Sequence, residues 1–395
     1  MRFLRITILT LAFLSFFFAD KTFAQSEQEW EDKVIPHLEE MARLADDNSY
    51  HTSICIYDLT FDAMVFGYNE NKKMRPASTQ KLVTAISALD QLGAGYQFRT
   101  DVYQTGEVVP DENGKGVLHG DIYIVGCMDP LLGESQIQSV GDSLMKQGIS
   151  MIDGNIYTDM EMKDTISLGN GWCWDDENPT LSPITFLPKT INIKTTQPQD
   201  LRTSVKTYPG GGRLVCSFSH SLNQVLQRMM KNSDNQHAES MFYQLGRQVK
   251  RPCTFKDCLN QVMKTIAKTG QPESAFEVQD GSGLSLYNYI TARAEVAMLR
   301  YASYTPQIFS YLYPALPIAG VDGTLKSRMK GTSAEHNIHA KTGTVSHVIS
   351  LAGYLTAPTG HLIAFSVISN GCEDKAEARA FHDRILSKLT MKIEK

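Results

Sequence analysis

The stretch that most constrains the fold is residues 76–85, because it requires a strand-rich segment to lead directly into a helix. Strand-like residues and turn formers precede it, and apolar residues recur at helical spacing from Leu82 to Leu92. Ser78 and Lys81 therefore stand three residues apart in the first turns of the predicted helix, on one face and within reach of each other. A serine at the positive end of a helix is well placed to attack a carbonyl, and the lysine could accept its proton.

The spacing of Ser78 and Lys81 does not by itself distinguish a nucleophile and its base from a capping serine and a solvated surface lysine. The same spacing occurs at residues 143–146 and 327–330. Neither of these stretches begins a helix beside a predicted sheet. The choice among the three therefore depends on what else the chain contains.

Length and composition indicate a soluble globular protein. The chain has 395 residues, of which 42% are hydrophobic and 21% are charged. This allows two domains, or one large domain with an insertion, and an ample core. The formal net charge of −5 gives no electrostatic reason to expect a nucleic acid partner.

The N-terminus has the pattern of a secretory signal. Arg2 and Arg5 precede an uncharged, mostly apolar stretch over residues 6–19, and residues 22–24 offer small side chains at the positions that a signal peptidase reads. The apolar stretch is too short to span a bilayer comfortably. We therefore predict a cleaved signal peptide over residues 1–24, a periplasmic mature protein and at most peripheral association with the membrane.

Seven cysteines follow the predicted signal peptide, an odd number, so at least one is free or paired between chains. Their spacing is not that of a metal site. Cys253 and Cys258 are close enough in sequence to bridge a loop in an oxidising compartment, or both are reduced, and the sequence leaves the two states open. We expect no metal and no organic cofactor.

The predicted elements at the two ends of the chain belong to one α/β domain. They are a helix at 27–46, strands at 52–59, 63–68, 337–340, 345–355 and 362–369, a further strand near Leu325, and a final helix at 375–389. We predict that this domain comprises residues 25–99 and 215–395, because its sheet draws strands from both ends of the chain.

Residues 100–214 form a predicted β-rich insertion. Short extended runs, such as 117–125 and 152–158, are separated by Gly, Pro, Asp and Asn, and one helix is predicted at 135–147. Two further helices, at 221–230 and 236–249, follow the insertion.

Two more motifs follow the Ser78 stretch in chain order. Ser233-Asp234-Asn235 lies between the two helices after the insertion, and Lys341-Thr342-Gly343 lies in an extended run. A second Lys-Thr-Gly, at residues 268–270, closes a helical pattern, so its glycine is predicted to end that helix. A strand can lay its backbone along a substrate peptide, whereas a helix end cannot. We therefore assign the motif to residues 341–343.

These residue types meet the needs of acyl transfer. Ser78 supplies the nucleophile. Lys81 can act as its base if burial and nearby positive charge, for which Lys341 is a candidate, lower the pKa of its amine. Ser233 can pass a proton to the leaving amine, and Asn235 can hold both Lys81 and the substrate backbone.

The extended motif offers the complementary substrate contacts. Lys341 and Thr342 can receive a carboxylate, and Gly343 lets a substrate approach the strand closely. The backbone N–H groups of Ser78 and Thr344 are the predicted donors to the oxyanion.

The order Ser-x-x-Lys, Ser-x-Asn, Lys-Thr-Gly is the motif set of the penicillin-recognising serine enzymes, and the chain resembles that group. More narrowly, it is similar to the class C low-molecular-mass penicillin-binding proteins, the D-alanyl-D-alanine carboxypeptidase/endopeptidase family (peptidase S13). The narrower resemblance rests on four more stretches, at residues 119–131, 171–176, 280–285 and 317–325.

The resemblance implies a penicillin-binding-protein and β-lactamase-like transpeptidase fold. In this fold an antiparallel sheet with flanking helices and an all-α subdomain carries a β-rich inserted domain. The resemblance also implies a hydrolase that acts on peptidoglycan pentapeptides and cross-linked muropeptides and that is acylated by β-lactam antibiotics. It implies an acidic contact from the insertion to the substrate, for which Asp159 is the candidate; the alternative is a surface aspartate in a turn.

Two other functions fit the same motifs. A serine β-lactamase is disfavoured because no deacylating glutamate is placed in a short loop between the second and third motifs, and because the insertion is large. A non-catalytic wall-binding protein of the same fold is disfavoured because all three motifs are intact.

Overall fold

The computed structural model describes residues 28–47, 49–197 and 200–391. The predicted signal peptide over residues 1–24 lies outside these ranges. No helix within them combines the length and the apolarity that crossing a membrane requires.

Helices and strands occur along the whole of the described chain. The helices are α1 (28–47), α2 (Gln80–Gln91), α3 (Glu134–Lys146), α4 (Leu222–Asn232), α5 (Asn235–Arg247), α6 (Phe255–Lys268), α7 (Ala292–Ser303), α8 (Pro306–Ala315) and α9 (Lys375–Leu389). The strands are β1 (His51–Asp58), β2 (Ala63–Tyr68), β3 (Lys73–Met74), β4 (Gln97–Gln104), β5 (Glu107–Pro110), β6 (Gly116–His119), β7 (Ile122–Val125), β8 (Ile149–Asp153), β9 (Ile156–Asp159), β10 (Lys194–Thr195), β11 (Arg213–Ser221), β12 (Phe276–Glu277), β13 (Tyr289–Thr291), β14 (His339–Val345), β15 (Val348–Thr356) and β16 (Leu362–Asn370).

The chain divides into two compact units, the first of which contains both ends of the described chain. It comprises the described residues up to Thr79, residues Ile290–Arg300 and the described residues from Leu316 onward. Its centre is an antiparallel five-stranded sheet in the order β14-β15-β16-β1-β2. Because β1 pairs with β16, strands from the beginning and the end of the chain complete one sheet.

Helices cover one face of this sheet. Trp30 and Leu38 of α1 and Phe381 and Ile385 of α9 belong to the main hydrophobic core of the unit. The indole N–H of Trp30 also donates to the carbonyl of Leu389 at 3.2 Å, which ties the two helices together. Apolar residues recur at helical spacing in both helices because each buries a single stripe against the sheet.

The opposite face of the sheet contacts the first part of α7. The hydroxyl of Tyr354 in β15 donates to the carbonyl of Leu299 at 2.8 Å. The hydroxyl of Ser366 in β16 donates to the Glu295 carboxyl at 2.6 Å. With both faces covered, β15 is buried along all but its last residue, which explains its nearly continuous apolar sequence.

The second unit comprises Gln80–Tyr289 and Tyr301–Ala315. Its middle part contains two four-stranded sheets, in the orders β10-β8-β6-β5 and β11-β4-β7-β9. Ile137, Val140 and Leu144 of α3 share a core with the strand residues of this part, and their spacing of three and four residues gives α3 one apolar face.

The remaining part of the second unit is helical. Every residue of α2 from Gln80 to Leu89 is buried. A helix buried on all sides must be largely apolar or carry polar groups with partners. Lys81 lies in the first turn of this buried helix, so it is not the solvated surface charge that its sequence also allowed.

The predicted α/β architecture is confirmed, with an antiparallel sheet, flanking helices and a β-rich middle region. The strand predicted near Leu325 is wrong, because Gly323–Leu325 forms a 3₁₀ turn. Leu325 is buried in the main core, so its apolar pattern reflects burial rather than an extended backbone. The predicted domain boundaries, with residues 25–99 and 215–395 in one domain and 100–214 in another, stay a prediction.

All seven cysteines lie in the part of the chain that the structure describes, and all are free thiols. Of the two states that the sequence left open for Cys253 and Cys258, the structure therefore contains the reduced one. Within the described ranges, no group of three or more His, Cys, Asp or Glu side chains is arranged to hold a metal ion.

Candidate active site

Ser78 lies in the 3₁₀ turn Ala77–Thr79, immediately before α2, and is half-buried. The hydroxyl of Ser350 in β15 donates to the carbonyl of Pro76 at 2.5 Å, which ties this turn to the sheet. Ala77 has a φ of 50°, a left-handed conformation that residues other than glycine seldom adopt. The sheet therefore holds the turn in an uncommon backbone conformation that places Ser78 at the start of a buried helix.

Gly343 is the point at which the Ser78 turn approaches β14. It lies opposite Ser350 in the β14–β15 pair. A Cβ atom at this position would lie 2.0 Å from the Oγ of Ser350, 2.7 Å from the carbonyl oxygen of Pro76 and 3.0 Å from the backbone nitrogen of Ser78. Two of these three atoms belong to the backbone and cannot simply rotate away, so the approach of the turn to the strand requires a glycine.

We expect Gly343→Ala to lower the free energy of unfolding by about 1–3 kcal/mol, the usual cost of overpacking a close-packed site. Gly95→Ala is the matched control, because a Cβ atom there meets nothing within 4 Å. Thermal unfolding followed by circular dichroism should show a lower midpoint for Gly343→Ala and an unchanged one for Gly95→Ala. Equal midpoints for the two variants would contradict the close approach.

The Lys-Thr-Gly motif lies in β14, as predicted. Lys341 is fully buried, and its Nζ donates to the carbonyl of Thr342 at 2.7 Å. The hydroxyl of Thr342 donates to that of Thr324 at 2.7 Å. Thr344 is exposed, and its Oγ1 accepts a hydrogen bond from Arg379 at 3.4 Å. The first unit thus brings the Ser78 turn together with the strand that carries the motif.

Lys81 is held by two acceptors in the second unit. Its Nζ donates to the Oδ1 of Asn235 at 2.7 Å and to the carbonyl of Ser282 at 2.7 Å. The side chain is fully buried. The structure therefore joins the lysine of the first motif to the asparagine of the second.

Burial lowers the pKa of Lys81 to about 8. The charges near it act in the opposite direction, because the carboxyl groups of Asp280, Glu239 and Asp234 raise the pKa of the amine. The sequence predicts instead that a positive charge, that of Lys341, helps to lower the pKa of Lys81. In the structure burial is the larger cause, and the three neighbouring groups are acidic.

Ser233-Asp234-Asn235 occupies the short connection between α4 and α5. Ser233 ends α4 with a φ of 60°, in the left-handed region. Asp234 caps α5, since its carboxylate accepts the backbone N–H of His237 at 3.1 Å. Asn235 is consequently the first residue of α5, and the helix start fixes the direction of its side chain toward Lys81.

Two groups that contact this network are not among the site residues predicted from the sequence. The first is the carbonyl of Ser282, which lies in a stretch that had served only to support the family resemblance. The second is Glu239, which lies four residues after Asn235 on α5 and is also buried. Burial and the nearby Asp280 raise the pKa of Glu239 to about 8. Its spacing from Asn235 is a signal that could have identified it, because residues four apart share a helix face.

Asp159 lies at the end of β9, and its side chain is buried. Its carboxylate accepts the backbone N–H of Glu161 at 2.8 Å and that of Tyr208 at 3.0 Å, and it lies 3.6 Å from the guanidinium of Arg251. These partners account for its two oxygens. The substrate contact expected of Asp159 stays a prediction.

The alternative matches to the motifs lie in different structural settings. Lys268 ends α6, and Gly270 follows with a φ of 73°, so the second Lys-Thr-Gly is confirmed as a helix end. Ser143 lies inside α3, and its hydroxyl donates to the carbonyl of Ser139 at 3.1 Å. A serine bound within its own helix has its hydroxyl engaged by the backbone rather than presented at a helix start.

The chemistry available here is that of a serine and a proton acceptor at the start of one buried helix. A lysine with a pKa near 8 is partly neutral near neutral pH, so it can take a proton from a hydroxyl. Chain connectivity places Ser78 one helical turn before Lys81. A serine beside such a proton acceptor is the type of pair used for nucleophilic attack on a carbonyl.

Comparison with known proteins gives a family match over most of the chain. The model of the D-Ala-D-Ala carboxypeptidase 3 (S13) family matches residues 37–192 and 203–390. A D-alanyl-D-alanine carboxypeptidase from Actinomadura sp. (strain R39) is 25% identical over 425 residues, covering 81% of this chain and 78% of that protein. The D-alanyl-D-alanine carboxypeptidase DacB of Haemophilus influenzae is 25% identical over 402 residues, covering 78% of this chain and 83% of its own.

Solved structures show the same fold. The crystal structure of penicillin binding protein 4 (dacB) from Haemophilus influenzae superposes with a TM-score of 0.75 at 23% sequence identity, covering 88% of this chain and 97% of that one. A structure of the same Haemophilus protein complexed with a β-lactam gives a TM-score of 0.70 with the same identity and coverage. The fold predicted from the family resemblance is thereby confirmed.

Proposed function

This chain belongs to the D-Ala-D-Ala carboxypeptidase 3 (S13) family, and from that membership we propose that it cleaves D-alanyl-D-alanine linkages in peptidoglycan through an acyl-enzyme on Ser78. It is a hydrolase of the serine carboxypeptidase type. Its proposed substrates are stem pentapeptides, from which it releases the terminal D-alanine, and cross-linked muropeptides, which it opens as an endopeptidase.

In the proposed reaction Ser78 attacks the carbonyl carbon of the penultimate D-alanine. Its Oγ proton passes to the neutral amine of Lys81, and the new C–O bond forms as the carbonyl becomes an oxyanion. The backbone N–H groups of Ser78 and Thr344 are the proposed donors to that oxyanion. Proton delivery to the leaving amine, through Ser233, then breaks the C–N bond and leaves the acyl-enzyme, which water hydrolyses.

The other motif residues have proposed roles in holding the reactants. Asn235 keeps Lys81 in place through the 2.7 Å hydrogen bond from the amine. Lys341 and Thr342 receive the terminal carboxylate of the substrate, and Gly343 lets the substrate backbone lie against β14. Asp159 is proposed to contact the stem peptide from the insertion.

The observation that carries the proposal is the environment of Lys81. A lysine that is fully buried, held by Asn235 and lowered in pKa to about 8 is suited to proton transfer. A capping serine followed by a surface lysine would have none of these properties. The same lysine supports acylation by penicillins, whose strained amide is attacked in the same way.

The proposed location is the periplasm, reached through the signal peptide that the first 24 residues predict. Peptidoglycan lies in that compartment in an organism with an outer membrane, so substrate and enzyme would meet there. A mature N-terminus near Gln25, measured by mass on the exported protein, would support this location. An unprocessed N-terminus would contradict it.

Digestion of purified muropeptides tests the function directly. We expect the protein to remove D-alanine from pentapeptide monomers and to convert cross-linked dimers into monomers, with both products identified by mass. Penicillin should leave a stable adduct on the protein. Rapid turnover of penicillin would instead indicate a β-lactamase, and the absence of both cleavage and labelling would indicate a non-catalytic binding protein.

A further inference from the structure

We propose that Glu239 is a positioning residue for Lys81, holding the backbone of residues 281–282 so that the carbonyl of Ser282 binds the lysine amine. The inference rests on the proposed role of Lys81 as the base and extends it to a carboxyl group outside the three motifs. Glu239 contacts the backbone of residues 281–282, which holds Lys81, and its proposed role is exerted through Lys81 rather than on the substrate.

Glu239 is connected to Lys81 through the backbone of a single residue, Ser282. The two carboxyl oxygens of Glu239 accept the backbone N–H of Ser282 at 2.8 Å and that of Gly281 at 3.3 Å. The carbonyl of the same Ser282 accepts the hydrogen bond from Lys81 Nζ at 2.7 Å. Fixing the N–H of Ser282 therefore also fixes the residue whose carbonyl binds the base.

The acceptors that Asn235 and Ser282 offer to Lys81 depend on α5. Asn235 provides one from the first turn of the helix, and Glu239, one turn later, holds the residue that provides the other. The hydroxyl of Thr84 in α2 adds a further tie, since it donates to the carbonyl of Gly281 at 2.7 Å. Residues 281–282 are thus fixed between the helix of the base and the helix of its partner.

Asp280 holds the following part of the same loop. Its carboxylate accepts the backbone N–H groups of Gly283 at 2.7 Å and Ser285 at 2.6 Å, and the side-chain amide of Asn288 at 2.8 Å. The indole N–H of Trp172, from the insertion, donates to the same carboxylate at 2.8 Å. Asp280 therefore organises the loop, while Glu239 is the carboxyl group that holds the Ser282 N–H beside the base.

The acidic groups near Lys81 also raise the pKa of its amine, and this effect can be tested. Asp234, Asp280 and Glu239 act on Lys81, and Asp280 and Lys81 act on Glu239. Once Glu239 has lost its proton, its negative charge favours the charged form of Lys81 and raises the pKa of the amine. Removing the acidic group of Glu239 should let Lys81 lose its proton at lower pH.

The rate of acylation by a fluorescent penicillin, measured against pH, tests the proposal. In Glu239→Gln one side-chain oxygen can still accept the Ser282 N–H, but the acidic group is lost. We expect its rate to begin rising at lower pH than that of the unmodified protein. In Glu239→Ala neither N–H keeps its acceptor, and a cavity of about 370 Å³ that already borders Glu239 is enlarged. We expect its rate to fall about ten- to hundredfold, taking as a guide the loss found when groups that orient metal ligands are removed.

Gln244→Ala is the matched control for a loss of packing in α5. Gln244 is also buried, and its side chain bonds the hydroxyl of Tyr96 and the carbonyl of Cys127, each at 2.7 Å. This variant should lower the unfolding temperature without moving the pH profile.

The outcomes separate the two proposals. If the unmodified protein is not acylated, the proposed function fails. If it is acylated, and Glu239→Gln keeps the unmodified pH profile while Glu239→Ala keeps the unmodified rate, the role of Glu239 is overturned and the proposed function stands.

Discussion

Replacing Ser78 with alanine is expected to abolish covalent labelling by a fluorescent penicillin and to lower hydrolysis of D-alanyl-D-alanine substrates by about 10³-fold or more, as removal of a catalytic nucleophile does. The physical reason is that no acyl-enzyme can form without the hydroxyl oxygen. The substitution removes one half-buried oxygen and leaves the turn tied to β15 through Pro76 and Ser350. The variant should therefore fold normally, which circular dichroism can check.

The chain contains its own controls for this experiment. Ser143→Ala and Ser327→Ala alter the other two Ser-x-x-Lys stretches. Both variants should keep full labelling, because Ser143 lies inside α3 and Ser327 does not begin a helix. If labelling persists in Ser78→Ala and disappears in one of the controls, the nucleophile is the serine changed in that control, and the assignment to Ser78 is wrong.

The elements at the two ends of the chain could be predicted because their signals are local. The strand at Ala63–Tyr68 and the helix at Lys375–Leu389 have the same bounds in the prediction and in the structure. Each follows from an unambiguous period of apolar residues and from turn or capping residues beside it, such as Asp374, whose carboxylate caps α9.

The strand predicted near Leu325 shows where local signals fail. The apolar residues there are buried against the core, but the backbone is a 3₁₀ turn that follows Gly320 and begins at Gly323, both of which have positive φ. A short run of apolar residues is expected both for a buried turn and for a buried strand, so the sequence pattern is the same in the two cases. Only the tertiary structure distinguishes them.

Part of the candidate site could likewise be predicted from local sequence, and part could not. The serine, the lysines and the asparagine are identified by spacing and by the type of element on which they lie. The surroundings of Lys81 are not, because the carbonyl of Ser282, which binds the amine, and Glu239, which acts on its charge, lie far from Lys81 in the sequence. The sequence predicts a basic neighbour, whereas in the structure three acidic groups act on the amine and burial lowers its pKa.

Substitution of Lys81 is the second change with a large expected effect. Lys81→Met removes the amine but keeps an apolar side chain suited to a buried helix. We expect acylation by penicillin to fall by about 10²–10⁴-fold, the usual contribution of a general base. The pH dependence should be lost as well. The proposed base can accept a proton only when neutral, and the Lys81 pKa of about 8 means that the neutral fraction, and hence the expected rate, rises as the pH increases through about 8.

Lys81→Arg distinguishes a base from a fixed positive charge. A guanidinium can still donate hydrogen bonds to the Oδ1 of Asn235 and the carbonyl of Ser282, but it does not lose its proton in proteins. If Lys81 transfers a proton, Lys81→Arg should be as slow as Lys81→Met, although its site keeps a cation. If Lys81→Arg is instead acylated at nearly the unmodified rate, the lysine serves by charge alone, and the proton must leave Ser78 by another route. Labelling rates for the two variants at pH 7 and pH 9 would decide between these outcomes, because only a titrating base makes the unmodified protein faster at the higher pH.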